Sequence, residues 1–216
     1  MYFAGNSITL KSQEQSMTEE QKMSYAIGHN TGEQFAANGI ALNAEYVLKG
    51  LNDALEGKNQ FTQEEMGEIF NLINRKYQEA QNKGLTEEKS KGQEFLDENR
   101  KKEGVVETPS GLQYKVVKMG DGPKPKATDR VRVHYHGTTL DGKVFDSSVL
   151  RGETITFGLN QVIRGWTEGV QLMPVGSKFI FYIPSDLAYG DRGAGSDIKP
   201  GATLIFEVEL FEINPQ

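Results

Sequence analysis

The residues of this chain whose types and spacing could do chemistry lie in its second half, where aromatic and branched side chains gather near predicted loops. They are Tyr135, Phe145, Ile155, Phe157, Val162, Ile163, Trp166, Tyr189 and Phe206. Such a set can line an apolar pocket that removes water from a bound group. It can equally fill an ordinary hydrophobic core, and spacing alone leaves both interpretations open.

A pair of histidines suggests a second kind of chemistry. His134 and His136 stand two residues apart on a predicted strand, so their side chains point to one face and could begin a metal site. No third ligand is evident, since His29 lies in the helical half of the chain. We therefore interpret the pair as ordinary surface residues and predict neither a metal nor any other cofactor.

Glycine and serine patterns also fall short of a reactive site. Residues 190–195 suggest a phosphate loop, but they lack the Lys-Ser/Thr ending of such loops and include Asp191. Ser147 and Ser148 have no nucleophile-elbow context and are typical of a polar turn after a strand. We predict neither phosphate binding nor serine catalysis.

The composition of the 216 residues narrows the possible partners and compartments. The net charge is −6 and Lys and Arg are not clustered, which argues against nucleic acid as a partner. No apolar run approaches the ~20 residues of a membrane span. The chain has no Cys, which excludes disulfides, thiolate catalysis and cysteine zinc sites. This fits an oxidising compartment, although many cytosolic proteins also lack Cys.

The elements that precede these residues have the pattern of helices. Residues 1–16 lack the basic start and apolar core of a signal peptide and are predicted to be a flexible tail. Thr18 and Gln21 then form a capping-box pattern, and Gly39 supplies a stop. One face between them carries Met23, Ile27, Thr31 and Phe35. Gly28 and Gly32 inside this helix predict the close approach of another backbone, with a mere weakening of the helix as the alternative.

Two further helices are predicted before residue 80. The second covers about residues 43–56 and the third begins with a capping-box pattern at Thr62 and Glu65. Their apolar stripes are Val47, Leu48, Leu51, Ala54 and Leu55 on the second helix, and Met66, Ile69, Phe70, Ile73 and Tyr77 on the third. Three short helices make a poor core for one chain, so residues 17–80 predict a homodimer, with a small self-sufficient bundle as the alternative.

The helix pattern continues past Ala80 with few apolar residues. Between residues 81 and 103 the only large ones are Leu85, Phe95 and Leu96, and acidic residues precede basic ones by four. A helix that is polar all round usually bridges domains through solvent. We therefore predict that residues 81–104 form the spacer part of a helix about 60 Å long.

The period of the apolar residues then changes from helical to two. Residues 112–116, 131–135, 178–183 and 203–213 have the pattern of strands, and Asp141-Gly142 has the pattern of a hairpin turn. The only plausible helix among them is short, over about residues 162–172. Residues 105–216 thus predict an α+β domain in which an antiparallel sheet wraps around one helix.

Five motifs in this order resemble the FKBP-type peptidyl-prolyl cis–trans isomerases. They are VHYHG at 133–137, DGKVFDSS at 141–148, VIRGW at 162–166, LAYG at 187–190 and ATLIF at 202–206. The helical half resembles the macrophage infectivity potentiator (Mip) branch through SYAIG at 24–28, GIALN at 39–43, KG at 49–50 and PSGLQY at 109–114. The resemblance covers about residues 20–214. It implies isomerisation of X-Pro bonds in folding polypeptides, with N-terminal helices that form the dimer.

The resemblance also implies a role for each site residue. Catalysis would depend on Asp146, Tyr189, Tyr135 and Trp166, with Trp166 as the floor under the proline ring. The substrate-binding residues would be Phe145, Ile155, Val162, Ile163, Ile198 and Phe206. The N–H of Ile163 and the hydroxyl of Tyr189 would bind substrate carbonyls, while Asp146 would orient Tyr135 or polarise the amide.

Further expectations follow from the same resemblance. Macrolides of the rapamycin type are implied as inhibitors, although Ala194 and Asp197 differ from the commoner loop sequence, which bears on macrolide binding and substrate preference. The branch implies a periplasmic or outer-membrane-associated protein, with the cytoplasm as the alternative. Chaperone activity of the dimer is implied beside isomerisation. The competing hypothesis is a non-catalytic chaperone or peptide-binding module that uses the same pocket.

Overall fold

The computed structural model describes residues 17–216, so the tail predicted for residues 1–16 lies outside the described residues. The chain divides between Ala80 and Gln81 into two compact units, each described here by itself. Within residues 17–216, no helix is long and apolar enough to cross a membrane. The predicted α+β class is confirmed, because a helical region precedes an antiparallel sheet with one short packed helix.

The first unit contains helices α1 (Glu19–Ala37), α2 (Ala44–Leu55) and the beginning of α3 (Gln63–Asn99). Both predicted capping boxes are present: the Thr18 Oγ1 accepts from the Gln21 N–H at 3.2 Å, and Thr62 and Glu65 pair in the same way. Asn43 caps α2 by accepting from two backbone N–H groups. These local hydrogen bonds satisfy donors that the first turn leaves free, which is why the helices begin at these residues.

The apolar faces of α1 and α2 are largely uncovered in the described chain, although the ring centroids of Phe35 and Tyr77 lie 5.4 Å apart. No residue of α1 or α2 is buried, and Ile27, Leu51 and Leu55 are 70%, 56% and 79% exposed. The close approach predicted at Gly28 and Gly32 is not made within residues 17–216. Apart from the adjoining residues and backbone of the same helix, no atom lies within 4 Å of a Cβ built at either position. The residues that the structure describes therefore do not supply the burial that the stripes of α1 and α2 need.

The second unit is built on a seven-stranded sheet in which every pairing is antiparallel. Its order is β1-β2-β6-β7-β3-β4, and β5 pairs with β3. The strands are β1 (Val105–Glu107), β2 (Gln113–Lys118), β3 (Arg130–Thr139), β4 (Val144–Ser147), β5 (Ile155–Gly158), β6 (Lys178–Ile183) and β7 (Leu204–Ile213). Helices α4 (Ser148–Arg151) and α5 (Arg164–Val170) lie between strands in the sequence.

The core of this unit lies between the sheet and α5. Alternate residues of β3 and β7 are buried, as the predicted period of two requires, and α5 contributes Trp166 and Val170. Helix α5 is shorter than the predicted 162–172 because Val162 and Ile163 have extended backbones. That extended entry leaves both residues free to line the pocket described below.

The segment predicted as a solvated spacer differs in part from that expectation. Gly92, Leu96 and Asn99 are buried, and a side chain at Gly92 would collide with Thr203. The Asn99 amide donates to the Gln113 Oε1 at 2.9 Å, and the Gln113 amide donates to the Leu96 carbonyl at 2.8 Å. The last turns of α3 thus pack on the sheet through Leu96 and through Phe95, whose ring centroid lies 5.9 Å from that of Tyr182 on β6. So narrow a stripe on an otherwise polar helix does not stand out as an amphipathic face in the sequence.

Candidate active site

A pocket of about 520 Å³ opens in the second unit beside helix α5. It is bordered by residues of β3, β4, β5, β7, the entry to α5 and the loop that follows β6. Its lining residues are Tyr135, Phe145, Asp146, Ile155, Phe157, Gln161, Val162, Ile163, Trp166, Tyr189 and Phe206. Asp146 is the single ionisable acid or base with a charge at neutral pH in this lining, so the pocket is apolar with one charged group at its edge.

Trp166 forms the centre of an aromatic cluster in this pocket. Its ring centroid lies 5.4 Å from Tyr135, 5.3 Å from Phe157 and 5.2 Å from Phe206, and each pair is close to edge-to-face. Phe145 meets Phe206 edge-to-face at 5.3 Å. Edge-to-face contacts hold aromatic rings in defined orientations, so the walls of the pocket are formed before any ligand enters.

Gly137 on β3 explains how two of these rings meet. A Cβ at this position would lie 2.8 Å from both the Phe145 and the Phe206 rings. Any side chain there would separate the rings or push one into the pocket. The glycine in the VHYHG motif is therefore required by packing beneath the pocket wall.

Asp146 is held by two neighbours at the edge of the pocket. The Tyr135 hydroxyl donates to the Asp146 Oδ2, and the Arg151 Nη1 donates to the Oδ1 at 2.5 Å. The Arg151 Nη2 also donates to the Tyr135 hydroxyl oxygen at 3.0 Å. Helix α4 follows β4 directly, and this turn returns Arg151 to the strand that carries Asp146. The carboxylate is thereby fixed in position and charge.

Comparison with known proteins identifies the family that carries this site. Residues 122–211 match the family profile described as FKBP-type peptidyl-prolyl cis-trans isomerase, and residues 20–116 match the one described as the domain amino terminal to it. The FKBP-type peptidyl-prolyl cis-trans isomerase FkpA of Aeromonas hydrophila is 52% identical over 205 residues, which cover 90% of this chain and 76% of that protein. The chain belongs to the FKBP-type peptidyl-prolyl cis–trans isomerases.

Two further similarities agree with this assignment. The outer membrane protein MIP of Legionella longbeachae is 42% identical over 201 residues, which cover 91% of this chain and 86% of that protein. The crystal structure of FkpA from Escherichia coli matches with a TM-score of 0.73 at 34% identity, over 92% of this chain and 98% of that one. The predicted family, including its Mip-like N-terminal domain, and the predicted enzyme class are therefore confirmed.

The structure brings together the predicted site residues of this isomerase with one exception. Each of them lines the pocket except Ile198, which is buried in the loop after Tyr189, where it pairs with Ala194 through backbone hydrogen bonds. Phe157 and Gln161 also line the pocket. The sequence pattern includes Phe157 among the aromatic candidates but gives no signal for Gln161. Arg151 was not predicted, because its contact depends on the β4–α4 turn rather than on any side-chain pattern.

The other chemical patterns of the sequence have structural partners outside the pocket. The Nδ1 atoms of His134 and His136 lie 3.0 and 2.9 Å from the hydroxyls of Ser148 and Ser147. The Ser147 hydroxyl also caps α4 by accepting from the Leu150 N–H. Both serines therefore organise the strand-to-helix turn that presents Asp146 and Arg151.

Opposing effects set the protonation of the site. Burial raises the pKa of Asp146, but hydrogen bonds from Tyr135 and Arg151 outweigh it and hold that pKa below its ordinary value of 3.8. Burial and the neighbouring Asp146 carboxylate raise the pKa values of Tyr135 and Tyr189 above 10. Ionised Asp146 therefore stabilises the fold at any pH above its pKa in the unfolded chain. This stabilisation is lost as the pH falls through the lower pKa that Asp146 has in the folded protein.

These directions predict a flat pH profile for the isomerase. Between about pH 5 and 9, Asp146 stays ionised and both tyrosines stay protonated, so kcat/KM should change less than about twofold. A protease-free assay that follows peptide isomerisation by NMR measures this without the pH dependence of a coupling enzyme. A bell-shaped profile within this range would contradict the protonation states assigned to the site.

Proposed function

We propose that the pocket around Trp166 is the site at which this isomerase accelerates rotation about X-Pro bonds. The observation that carries the proposal is the set of edge-to-face rings around Trp166 beside a charged Asp146. In this arrangement the proline ring rests on Trp166. The side chains around the proline ring are those of Tyr135, Phe145, Ile155, Val162, Ile163 and Phe206. Phe157 and Gln161 complete the lining of the pocket.

The chemical task explains why an apolar pocket suffices. Amide resonance opposes rotation with a barrier of roughly 18–20 kcal/mol, and an X-Pro bond takes tens to hundreds of seconds to exchange. In the twisted amide the nitrogen lone pair is no longer shared with the carbonyl. Lowering the barrier by about 6–8 kcal/mol would accelerate exchange roughly 10⁴–10⁶-fold without breaking a covalent bond.

Complementarity to the twisted amide follows from the lining of the pocket. The planar amide is the more polar form, so an apolar enclosure favours the twisted state, in which the carbonyl carbon carries more positive charge. The Asp146 carboxylate stands at the edge where it can stabilise that carbon, and it also orients the Tyr135 ring. We assign Asp146, Tyr135, Tyr189 and Trp166 to catalysis on these grounds.

Two polar groups complete the proposed site by binding substrate carbonyls. The N–H of Ile163 precedes the first turn of α5, where backbone donors lack intrahelical acceptors. Tyr189 lines the pocket and is 40% exposed, so its hydroxyl is accessible to a bound peptide. Both donors would fix the peptide chain on either side of the rotating bond.

The proposal is tested by replacing the floor of the pocket. In Trp166→Leu, kcat/KM for a proline tetrapeptide in a protease-coupled assay should fall about 5–10-fold, because part of the apolar contact with the proline ring is lost. Phe179→Leu is the matched control: Phe179 is also a buried aromatic residue, yet it does not line the pocket. Its kcat/KM should stay within twofold of wild type at a temperature where far-UV circular dichroism shows both variants folded.

Two outcomes would contradict the proposed site. Equal loss of activity in Trp166→Leu and Phe179→Leu would show that the loss reports general destabilisation. Full activity in a folded Trp166→Leu would place the substrate elsewhere. If the folded wild type fails to accelerate isomerisation at all, the pocket is a peptide-binding site and the non-catalytic chaperone hypothesis takes its place.

We further propose that residues 17–80 form a homodimerisation domain and residues 105–216 the isomerase domain, joined by residues 81–104. The support is the exposed stripe of α2, which no residue of the described chain covers. A second copy would bury the same stripe on both sides of a symmetric interface. Two pockets on one dimer would also hold an unfolded polypeptide at two points, which supports chaperone activity as a companion function.

The remaining parts of the proposal concern ligands and compartment. Proline-containing, unfolded or partly folded polypeptides are the proposed clients, and rapamycin-type macrolides would compete with them for the same apolar pocket. The similarity to the MIP protein of Legionella longbeachae, whose name places it in the outer membrane, supports a periplasmic or outer-membrane-associated location.

A further inference from the structure

The loop that carries Tyr189, defined here as residues 189–201, is closed on itself. At its base the Gly201 N–H donates to the Gly190 carbonyl at 2.9 Å. Near its tip Ala194 and Ile198 exchange two backbone hydrogen bonds of 2.8 and 3.1 Å. The loop can therefore move as a unit, and the position of Tyr189 depends on what holds that unit against the rest of the domain.

Helix α3 holds this loop at its base, on both sides of Tyr189. The Lys89 Nζ lies 2.5 Å from the Asp191 carboxylate, two residues after Tyr189, and 4.0 Å from the Asp186 carboxylate, three residues before it. A Cβ at Gly201 would lie 2.9 Å from the Leu85 Cδ1 and 3.0 Å from the Leu85 carbonyl oxygen. Helix α3 thus contacts the loop at both ends: Lys89 pairs with Asp191 near its start, and Leu85 packs on Gly201 at its end.

The other ion pairs of the loop lie farther from Tyr189. Lys199 lies 3.6 Å from the Glu88 carboxylate, and Asp197 lies 2.8 Å from Lys143 on the β3–β4 hairpin. These pairs join the distal part of the loop to its surroundings. Among residues 17–216, only Lys89 lies between two carboxylates that flank Tyr189 in the sequence. The hydrogen bond that Lys89 donates to the Asp191 carboxylate raises the pKa of Lys89.

We propose that Lys89 of helix α3 is a positioning residue for Tyr189, so that the helix before the sheet takes part in substrate binding. This inference rests on the proposed role of the Tyr189 hydroxyl. Without the Lys89–Asp191 pair the loop samples more positions, and a peptide must select the one in which the hydroxyl reaches its carbonyl. The cost falls on binding in the ground and transition states alike, so KM rises while kcat is kept.

The test compares Lys89→Met with Lys89→Arg, which keeps the charge. Lys89→Met should raise the dissociation constant of a proline peptide and KM about two- to fivefold, the range expected for loss of an exposed ion pair. Lys89→Arg should restore both to within 1.5-fold of wild type. Trp166, the one tryptophan of the chain, lines the pocket and provides the fluorescence signal for the binding titration.

A double-variant comparison separates positioning from a general structural role. If Lys89 acts through the hydroxyl, Lys89→Met should have no further effect on KM in a Tyr189→Phe background. The matched control is Lys83→Met on the same helix, because among residues 17–216 Lys83 pairs only within the helix, with Glu87 at 3.9 Å. Lys83→Met should leave KM, kcat and thermal unfolding unchanged.

Several results would overturn the inference while leaving the isomerase site intact. These are an unchanged KM in Lys89→Met, an effect that adds fully to that of Tyr189→Phe, or an equal effect of Lys83→Met. Full affinity in Tyr189→Phe would also overturn it, because the hydroxyl would then have no role to be positioned for. Absence of catalysis in wild type would instead contradict the proposed function itself, so the two failures are distinguishable.

Discussion

Replacing Asp146 with alanine is expected to lower kcat/KM for a proline tetrapeptide about 10–100-fold while the domain stays folded. The carboxylate receives hydrogen bonds from Tyr135 and Arg151, and interactions of this kind with a charged group contribute roughly 1.5–3 kcal/mol. Its loss removes the acceptor of the Tyr135 hydroxyl and leaves the Arg151 guanidinium as the charge nearest the pocket. A positive group at that edge would oppose the charge that develops on the carbonyl carbon.

Two comparison variants sharpen this experiment. Glu212→Ala removes another carboxylate that is paired with an arginine, since Arg132 donates two hydrogen bonds of 3.0 and 2.9 Å to Glu212. Glu212 does not line the pocket. Its activity should stay within twofold of wild type. Asp146→Asn keeps the shape and removes only the charge, so activity close to that of Asp146→Ala would show that the charge matters. A folded Asp146→Ala variant with full activity would rule out the role assigned to this residue.

Replacing Leu51 with aspartate is expected to dissociate the proposed dimer, raising its dissociation constant at least about 1000-fold. Leu51 is 56% exposed in the described chain and lies in the middle of the α2 stripe. In a symmetric interface the change occurs twice, and each copy loses roughly 1.5–3 kcal/mol of apolar burial in addition to the cost of a desolvated carboxylate. Sedimentation equilibrium should show wild type near twice the 24.0 kDa of one chain and the variant near 24.0 kDa.

The control for this change adds the same charge outside the stripe. Asn52→Asp places a carboxylate on the neighbouring, exposed position of α2 and should leave the dimer intact. A wild type that sediments as a single chain would contradict the dimer, and a dimeric Leu51→Asp would show that α2 is not in the interface. Circular dichroism must show the same helix content in all three proteins.

The monomeric variant also separates the two proposed activities. Isomerisation of a tetrapeptide should be kept in Leu51→Asp, since the lining of the pocket comes entirely from residues 135–206. Suppression of the aggregation of an unfolded client should weaken, because holding a chain at two points requires two pockets on one particle. Equal loss of both activities would argue against this division of roles.

Local sequence patterns determined much of this protein. The capping boxes at Thr18 and Thr62 were visible because a cap involves side chains only three residues apart. Strand β6 begins and ends where its branched and aromatic run does, at Lys178 and Ile183. The ordered motifs identified the family, and the resemblance to it indicated nearly all of the residues that line the pocket. Each motif is a short run of residues, so it can be recognised without knowledge of the tertiary structure.

The tertiary structure alone decided the contacts between distant segments. Ile198 is buried in the loop after Tyr189, where its backbone pairs with Ala194, and it does not line the pocket. Arg151 reaches Asp146 because α4 folds back, and the polar end of α3 packs on the sheet through the stripe that contains Gly92 and Leu96. Such contacts depend on where chain segments meet in space. The periodicity of apolar residues along the sequence indicates only the face of its helix or strand on which a residue lies.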